Sequence, residues 1–279
     1  MLVRDRARNL ALSAVACATL LGCPVILGVD GTFDLRDGGG PPNADADGDA
    51  DVSSGPYCAS LGARDAQPAF CDDFDGVPLA AKWNEVKVLD GGGVTVDTAF
   101  FRSSPHSLRS WLNGHRTGSG CDYANVATSL VGPAHATHLG YALRFGDDSA
   151  VSGPDSSHVS SQSIGTGGDL CSVLVDVSTA ALVVEEQVQT AQPPSRRNLP
   201  HAASRALVPR QWSRLEIDVD YVSKRLVLTV DGQVVVDDAV NLDCPHVGRP
   251  ATALVGLYCA PSTSETISVR YDDVVFDAR

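Results

Sequence analysis

The chain has 279 residues, with 21 Lys and Arg against 34 Asp and Glu for a formal charge of -13, and it holds eight cysteines. An acidic surface of this kind favours cations and disfavours nucleic acid and anionic lipid headgroups, because like charge raises the cost of approach. Hydrophobic residues at 43% are ordinary for a globular domain, and no apolar run after the N-terminal segment reaches the length of a membrane-spanning helix.

In chain order, Arg4, Arg6 and Arg8 form a basic region ahead of an apolar stretch over residues 10–21. That stretch is too short to cross a bilayer, so it reads as an export signal rather than as structure. The sequence Leu20-Leu21-Gly22-Cys23 that closes it resembles the lipobox of bacterial lipoproteins, and Ala14-Val15-Ala16-Cys17 is a weaker second match. The resemblance implies a lipoprotein signal peptide over residues 1–22, a diacylglycerol on the Cys23 thiol and cleavage that leaves Cys23 as the new N-terminus. The expected address is the bacterial cell envelope, periplasm or cell surface, with the lipid as the link to the membrane.

Residues 23–55 are rich in Asp, Gly, Pro and Ala and cannot bury enough apolar area to offset the entropy of ordering, so they read as a disordered tether. Asn43, Asp45, Asp47 and Gly48 match the first half of a calcium loop, but Ser54 stands where the closing Glu belongs. With Cys17 removed and Cys23 lipidated, Cys58, Cys71, Cys121, Cys171, Cys244 and Cys259 remain, an even set that predicts three disulfides in an exported chain. Loop economy favours Cys58 with Cys71 and Cys244 with Cys259, leaving Cys121 to bridge Cys171. No pair has the CxxC spacing of a zinc site.

From residue 56 to 279 short alternating runs dominate and no convincing helix is visible. Leu215, Ile217, Val219 and Tyr221 point one way and Arg214, Glu216, Asp218 and Asp220 the other, the period of a half-buried strand. Leu226, Leu228 and Val230 repeat the pattern before Asp231-Gly232, a hairpin turn leading into Val234-Val235-Val236. Strand-like runs also occupy residues 94–96, 139–145, 173–177, 181–184, 254–258 and 267–276, while Pro193, Pro194 and Pro200 mark residues 191–200 as a long loop. Together these predict one all-β sandwich.

Several of these segments carry a recognisable pattern: Phe70-Cys71-Asp72-Asp73-Phe74-Asp75 followed by Trp83, Ser104-Pro105-His106-Ser107-Leu108-Arg109, Trp212-Ser213-Arg214-Leu215-Glu216-Ile217, Leu228-Thr229-Val230-Asp231-Gly232 and Tyr271-Asp272-Asp273-Val274-Val275-Phe276. It resembles concanavalin A-like lectin/glucanase domains, the laminin G-like jelly rolls among them. The resemblance implies a jelly-roll β-sandwich of two antiparallel sheets with a buried Trp and with first and last strands side by side. It also implies that Asp73 and Asp272 meet, a structural Ca2+ near them, and glycan bound on the concave face or the loops around it.

Glu216-Ile217-Asp218-Val219-Asp220 further resembles the Glu-x-Asp-x-Glu strand of laminarinase- and lichenase-type hydrolases, in which the first and last carboxylates act as nucleophile and acid/base. Here the last position is Asp220, one methylene short for a retaining pair. Arg196 and Arg197, in the Pro-rich stretch of an acidic protein, are candidates to grip a uronate or sulfate. His135 and His138 stand three apart before a strand, so their side chains diverge. No Gly-x-Ser-x-Gly or Arg-x-Glu-x-Arg motif occurs. The sequence therefore favours a lipid-anchored binding or adhesion module with a glycan ligand and leans away from an enzyme. The alternatives are a polysaccharide-cleaving hydrolase or lyase on the same fold, and a structural envelope lipoprotein without a ligand. The oligomeric state is left open.

Overall fold

The computed structural model describes residues 57–61, 69–89, 91–113, 122–146, 157–191, 194–241, 243–258 and 266–279. The export signal, Cys23, the tether, Cys121 and Cys259 lie outside the described residues. Two short helices, α1 (Tyr57–Leu61) and α2 (Leu79–Lys82), accompany fifteen strands among the described residues. In chain order the strands are β1 (Phe70–Asp72), β2 (Glu85–Val88), β3 (Gly92–Asp97), β4 (Ser107–Asn113), β5 (Tyr123–Ala134), β6 (Ala136–Phe145), β7 (Ser157–Thr166) and β8 (Asp169–Val177). There follow β9 (Leu182–Ala191), β10 (Pro194–Ala202), β11 (Ser213–Asp220), β12 (Arg225–Val230), β13 (Gln233–Ala239), β14 (Arg249–Tyr258) and β15 (Thr266–Ala278).

The strands form two antiparallel sheets. One runs β13-β12-β11-β6-β15-β4-β3, with β1 also on β15, and the other runs β10-β9-β8-β7-β14-β5-β2. Alternation decides what lies between them. Leu139, Tyr141, Leu143, Leu215, Ile217, Val219, Leu226 and Leu228 from the eight-stranded sheet join one core with Ala124, Val126, Val173, Val175, Ala253, Val255 and Leu257 from the seven-stranded one. Their intervening neighbours therefore face outward on either side.

The expected pairing of first and last strands is present: Asp72 of β1 lies opposite Val274 of β15. Trp83 is buried, its Nε1–H donating to Asp72 Oδ2 at 2.6 Å. The Asp231-Gly232 turn joins β12 to β13. Two expectations are corrected. Residues 194–200 are not a loop: β9 runs to Ala191 and β10 pairs along it from Pro194↔Ala191 to Ala202↔Val183. β10 is the edge of its sheet, and a strand with one unpaired side tolerates prolines that lack an N–H.

The second correction concerns the disulfides. Cys58 bonds Cys71 as expected, but Cys171 bonds Cys244, which overturns both the Cys121–Cys171 and the Cys244–Cys259 pairings. Sequence distance is a poor guide here because β8 and the turn after β13 belong to opposite sheets that the fold stacks. The bond joins them across a separation of 73 residues. A second link lies nearby: buried His201 of β10 sits between Glu186 of β9 (Nε2 to Oε1, 2.6 Å) and Asp238 of β13 (Nδ1 to Oδ2, 2.8 Å). The first link ties β8, and the second the β10 edge, to the opposite sheet. The disulfides point to an extracytoplasmic, oxidising compartment, and no helix among the described residues is long and apolar enough to cross a membrane.

Candidate functional site

The two outward faces carry different chemistry. On the eight-stranded sheet, Glu216, Asp218 and Asp220 share the outward side of β11, as alternation requires. Each is already engaged. Glu216 Oε1 lies 3.5 Å from Arg214 Nε, and Asp218 Oδ1 lies 3.0 Å from Nδ1 of His138, its cross-strand partner on β6. Asp220 accepts the backbone N–H groups of Val222 and Ser223 at 2.9 and 2.8 Å, and these bonds, that of Ser223 foremost, lower its carboxyl below the usual range. Asp220 thus caps the turn into β12. His135 lies in the corner between β5 and β6, so the two histidines do diverge.

The terminal strands form a buried acidic knot beside this face. Asp272 Oδ2 accepts N–H from Arg102 and Ser103, both at 2.8 Å, and its Oδ1 accepts N–H from Asp273. The Ser103 hydroxyl lies 3.1 Å from Asp272 and 2.6 Å from Asp273. Burial, and then the charge of Asp273, push Asp272 up to about 8. Asp73 is turned elsewhere, accepting the Cys58 N–H at 3.1 Å, and its charge is felt by Asp273. Among the described residues no group of three or more His, Cys, Asp or Glu could hold a metal ion.

The outward face of the seven-stranded sheet carries buried polar groups without hydrogen-bond partners, those of Asn125 and Glu185. Its centre is a cross-strand row, Tyr123 of β5, Tyr258 of β14, His158 of β7 and Asp176 of β8, each opposite the next. His158 Nδ1 is hydrogen-bonded to Asp176 Oδ1, and the His158 and Tyr258 rings lie 6.0 Å apart at a tilt of 30°. With Nδ1–H donating to the carboxylate, Nε2 is left as a base. A bulge makes the row possible: between Val255 and Tyr258 the register of β14 against β7 slips at Gly256, whose φ is +128°.

Next to the bulge stands Asn125, opposite both Gly256 and Lys87 of β2. A Cβ on Gly256 would fall 2.6 Å from the Asn125 Cβ and 2.5 Å from Ala124 O, so only glycine lets Asn125 lie over the bulge. Asn125 is 1% exposed, yet neither Oδ1 nor Nδ2 has a hydrogen-bond partner. Leaving a buried amide unsatisfied costs roughly 1–3 kcal/mol, a debt that a ligand on this face would relieve. Lys87 beside it is held 2.7 Å from Glu85.

On the far side of Asp176, Glu185 of β9 shares the face, with Oε1 buried and unpartnered. Burial, then the Asp176 charge, raise its carboxyl, while His158 and Arg196 act the other way. Alternation along β10 splits the arginine pair. Arg196 faces Glu185 and, with the Gln187 amide turned to suit, donates to Gln187 Oε1 at 2.9 and 2.6 Å. Arg197 alternates away, where its charge adds to that of Lys224 in lowering Asp243.

The sequence reading had not picked out Asn125, His158, Asp176, Tyr258 or Glu185. One signal was present: Gly167-Gly168 is a two-residue hairpin turn between β7 and β8, and counting outward from it brings His158 to within one residue of Asp176.

No family model matches this sequence, and no curated protein matches it. Solved structures do. An endo-β-1,4-glucuronan lyase from the fungus Trichoderma reesei superposes with a TM-score of 0.62 at 16% identity, over 76% of this chain and 96% of that one. A glycoside hydrolase family 16 endo-glucanase from Bacteroides ovatus does so at 0.53 and 9% identity, over 74% and 99%. An alginate lyase in complex with an alginate trisaccharide gives 0.50 at 11%, over 76% and 98%. At these identities the likeness establishes the concanavalin A-like jelly roll and leaves the chemistry to the side chains.

Proposed function

We propose that the protein acts on polysaccharide at the outward face of the seven-stranded sheet, and that it opens an acidic polysaccharide there by β-elimination. The observation that carries this reading is Asn125: a buried amide with both polar atoms unpartnered, on the same face as the His158–Asp176 pair. In β-elimination a uronate loses the proton on the carbon next to its carboxylate, and the bond to the glycosidic oxygen on the following carbon breaks. Asn125 Nδ2, with the Lys87 ammonium nearby, neutralises the carboxylate and so acidifies that proton. His158 Nε2 takes the proton, and Asp176 steadies the imidazolium that forms. The electron pair becomes the new carbon–carbon double bond, and the Tyr258 hydroxyl protonates the departing oxygen. The lyases among the similar structures support the reading.

The binding-only reading assigns the same face to recognition without turnover, and the formal charge of -13 favours a neutral glycan for it. The lipid on Cys23, supported by its motif, belongs to the same proposal, since it would hold the domain at the envelope. A Ca2+ at Asp73 and Asp272 is a further proposal, in which the ion must compete with the N–H donors that Asp272 already accepts.

The test incubates the protein with glucuronan, alginate and a mixed-linkage β-glucan and follows ultraviolet absorbance and reducing ends together. Absorbance of a conjugated unsaturated uronate is the expected result. Reducing ends without it would replace elimination by hydrolysis, and retention on a polysaccharide matrix with neither would leave a binding module.

A further inference from the structure

Glu185 has no part in the elimination steps, yet its surroundings are those of a ligand contact. Its cross-strand partners are Leu174 and Pro200, neither of which carries a polar side chain. The charged and titratable groups that face it are Asp176 on β8, His158 beyond it on β7 and Arg196 on β10. Arg196 spends its guanidinium on Gln187 and Asn198, with Nε 3.2 Å from Asn198 Oδ1. Asp176 accepts from His158. Glu185 Oε1 is left shut away from solvent with no donor or acceptor in the protein. A carboxyl oxygen in that position has either a proton to give or a lone pair to fill, and its partner in either state comes from outside.

We propose that Glu185 is a proton-operated contact for an anionic sugar: protonated, it donates a hydrogen bond to the bound polymer, and ionised, it adds its charge to that of Asp176 and repels the polymer. The proposal rests on the reading of this face as a polyuronate site and adds regulation to it. The raised carboxyl of Glu185 agrees with it, because burial and Asp176 both favour the proton-bearing form. Adjacent strands stand about 4.8 Å apart, so Glu185, two strands from His158 and four from Asn125, lies on the order of 10 Å across the sheet from the base that takes the proton. Glu185 would therefore touch a neighbouring sugar rather than the one whose bond breaks. Its effect belongs in binding rather than in the chemical step, and acid would tighten the grip on the polymer without altering what is cut.

The experiment measures binding of alginate, glucuronan and neutral β-glucan oligosaccharides by calorimetry at about pH 5 and about pH 8. It compares wild type, Glu185→Gln and His158→Gln, the last to separate Glu185 from the imidazole that faces it across Asp176. Wild type is expected to lose about tenfold in affinity between the two conditions. Glu185→Gln, which keeps a donor at every pH, should hold its acid affinity at the higher pH, and His158→Gln should retain most of the fall. An unaltered pH dependence in Glu185→Gln, or its loss in His158→Gln alone, overturns the gate and leaves the polyuronate face standing. Binding of neutral glucan only, independent of pH, also overturns it. Absence of binding by every variant to any of these sugars removes the site itself, and the gate with it.

Discussion

Among the described residues, one histidine–aspartate pair on the outward face of the eight-stranded sheet, His138–Asp218, can be set against one on the outward face of the seven-stranded sheet, His158–Asp176, and the two differ in everything except composition. His138 and Asp218 stand 35% and 52% exposed on the eight-stranded sheet, where water solvates whatever the pair leaves unfilled. His158 and Asp176 are 18% and 7% exposed on the seven-stranded sheet, between an unpartnered asparagine and an unpartnered carboxyl oxygen. An exposed ion pair of the first kind contributes at most about 1 kcal/mol and organises nothing around it. A sheltered pair of the second kind fixes a tautomer and holds a base in one orientation. What separates a decorative pair from a candidate catalytic one is the state of its neighbours, not the residues themselves.

The sharpest way to break this comparison is to remove the two histidines separately. His158→Ala should lower the rate of polysaccharide cleavage by about 10²–10⁴-fold, the usual contribution of a positioned general base, with an unchanged fold by circular dichroism. His138→Ala should leave that rate within a factor of about two, since its partner is a solvated carboxylate. Initial rates on the best substrate decide it, and equal losses in both variants would show that neither face is privileged.

A smaller effect sharpens the contrast between buried groups that are filled and buried groups that wait. Asp272 is as deeply buried as Asn125, but the donors its carboxyl oxygens need are supplied from within the protein. It should therefore shape stability with pH instead of binding. Its folded carboxyl is raised to about 8 from an ordinary value of 3.8, so the native state holds a proton that the unfolded chain has released between those values. Stability is then fully present below about pH 4 and declines as pH rises toward 8, by at most about 1.4 kcal/mol per unit for one group. Asp272→Asn should flatten that decline in urea titrations across the range. A slope equal to that of the wild type would mean that Asp273, sharing the Ser103 hydroxyl, carries the proton instead.

Much of the architecture was legible because it rests on local rules. The period of two along β11 and β12, the Asp231-Gly232 turn and the buried Trp83 each follow from a few neighbouring residues, and each is present. The disulfide between Cys171 and Cys244 was misjudged because stacking of the sheets, not chain distance, brings those strands together. The stretch through Pro194 and Pro200 was taken for a loop because tolerance of proline depends on being an edge strand, a property of the whole sheet. The candidate site was least legible for a related reason. The Gly167-Gly168 turn alone would pair His158 with Val177, and it is the bulge near Val159 that delivers Asp176. Alternation did identify an acidic strip on β11, but it is silent on which sheet faces a ligand and on which carboxylates are already occupied.

The smallest expected effect tests that last point. Glu216 heads the strip that resembles a hydrolase strand, and its ion-pair partner, Arg214, does not depend on it. The Arg214 guanidinium donates to Asp273 O at 2.6 Å and to the Tyr57 hydroxyl at 3.0 Å, and it lies 5.1 Å from the centre of the Tyr57 ring. Removing the Glu216 charge therefore leaves Arg214 anchored, and Glu216 itself is 41% exposed on its side chain, so water replaces the 3.5 Å contact at little cost. Glu216→Gln should change unfolding free energy by less than about 0.5 kcal/mol and leave polysaccharide binding and turnover at wild-type levels. Asp220, the other end of the strip, is committed to the turn at Val222 and Ser223. Hydrolysis of β-glucan by the wild type that disappears in Glu216→Gln would move the chemistry to the eight-stranded sheet and make His158 and Asp176 the decorative pair.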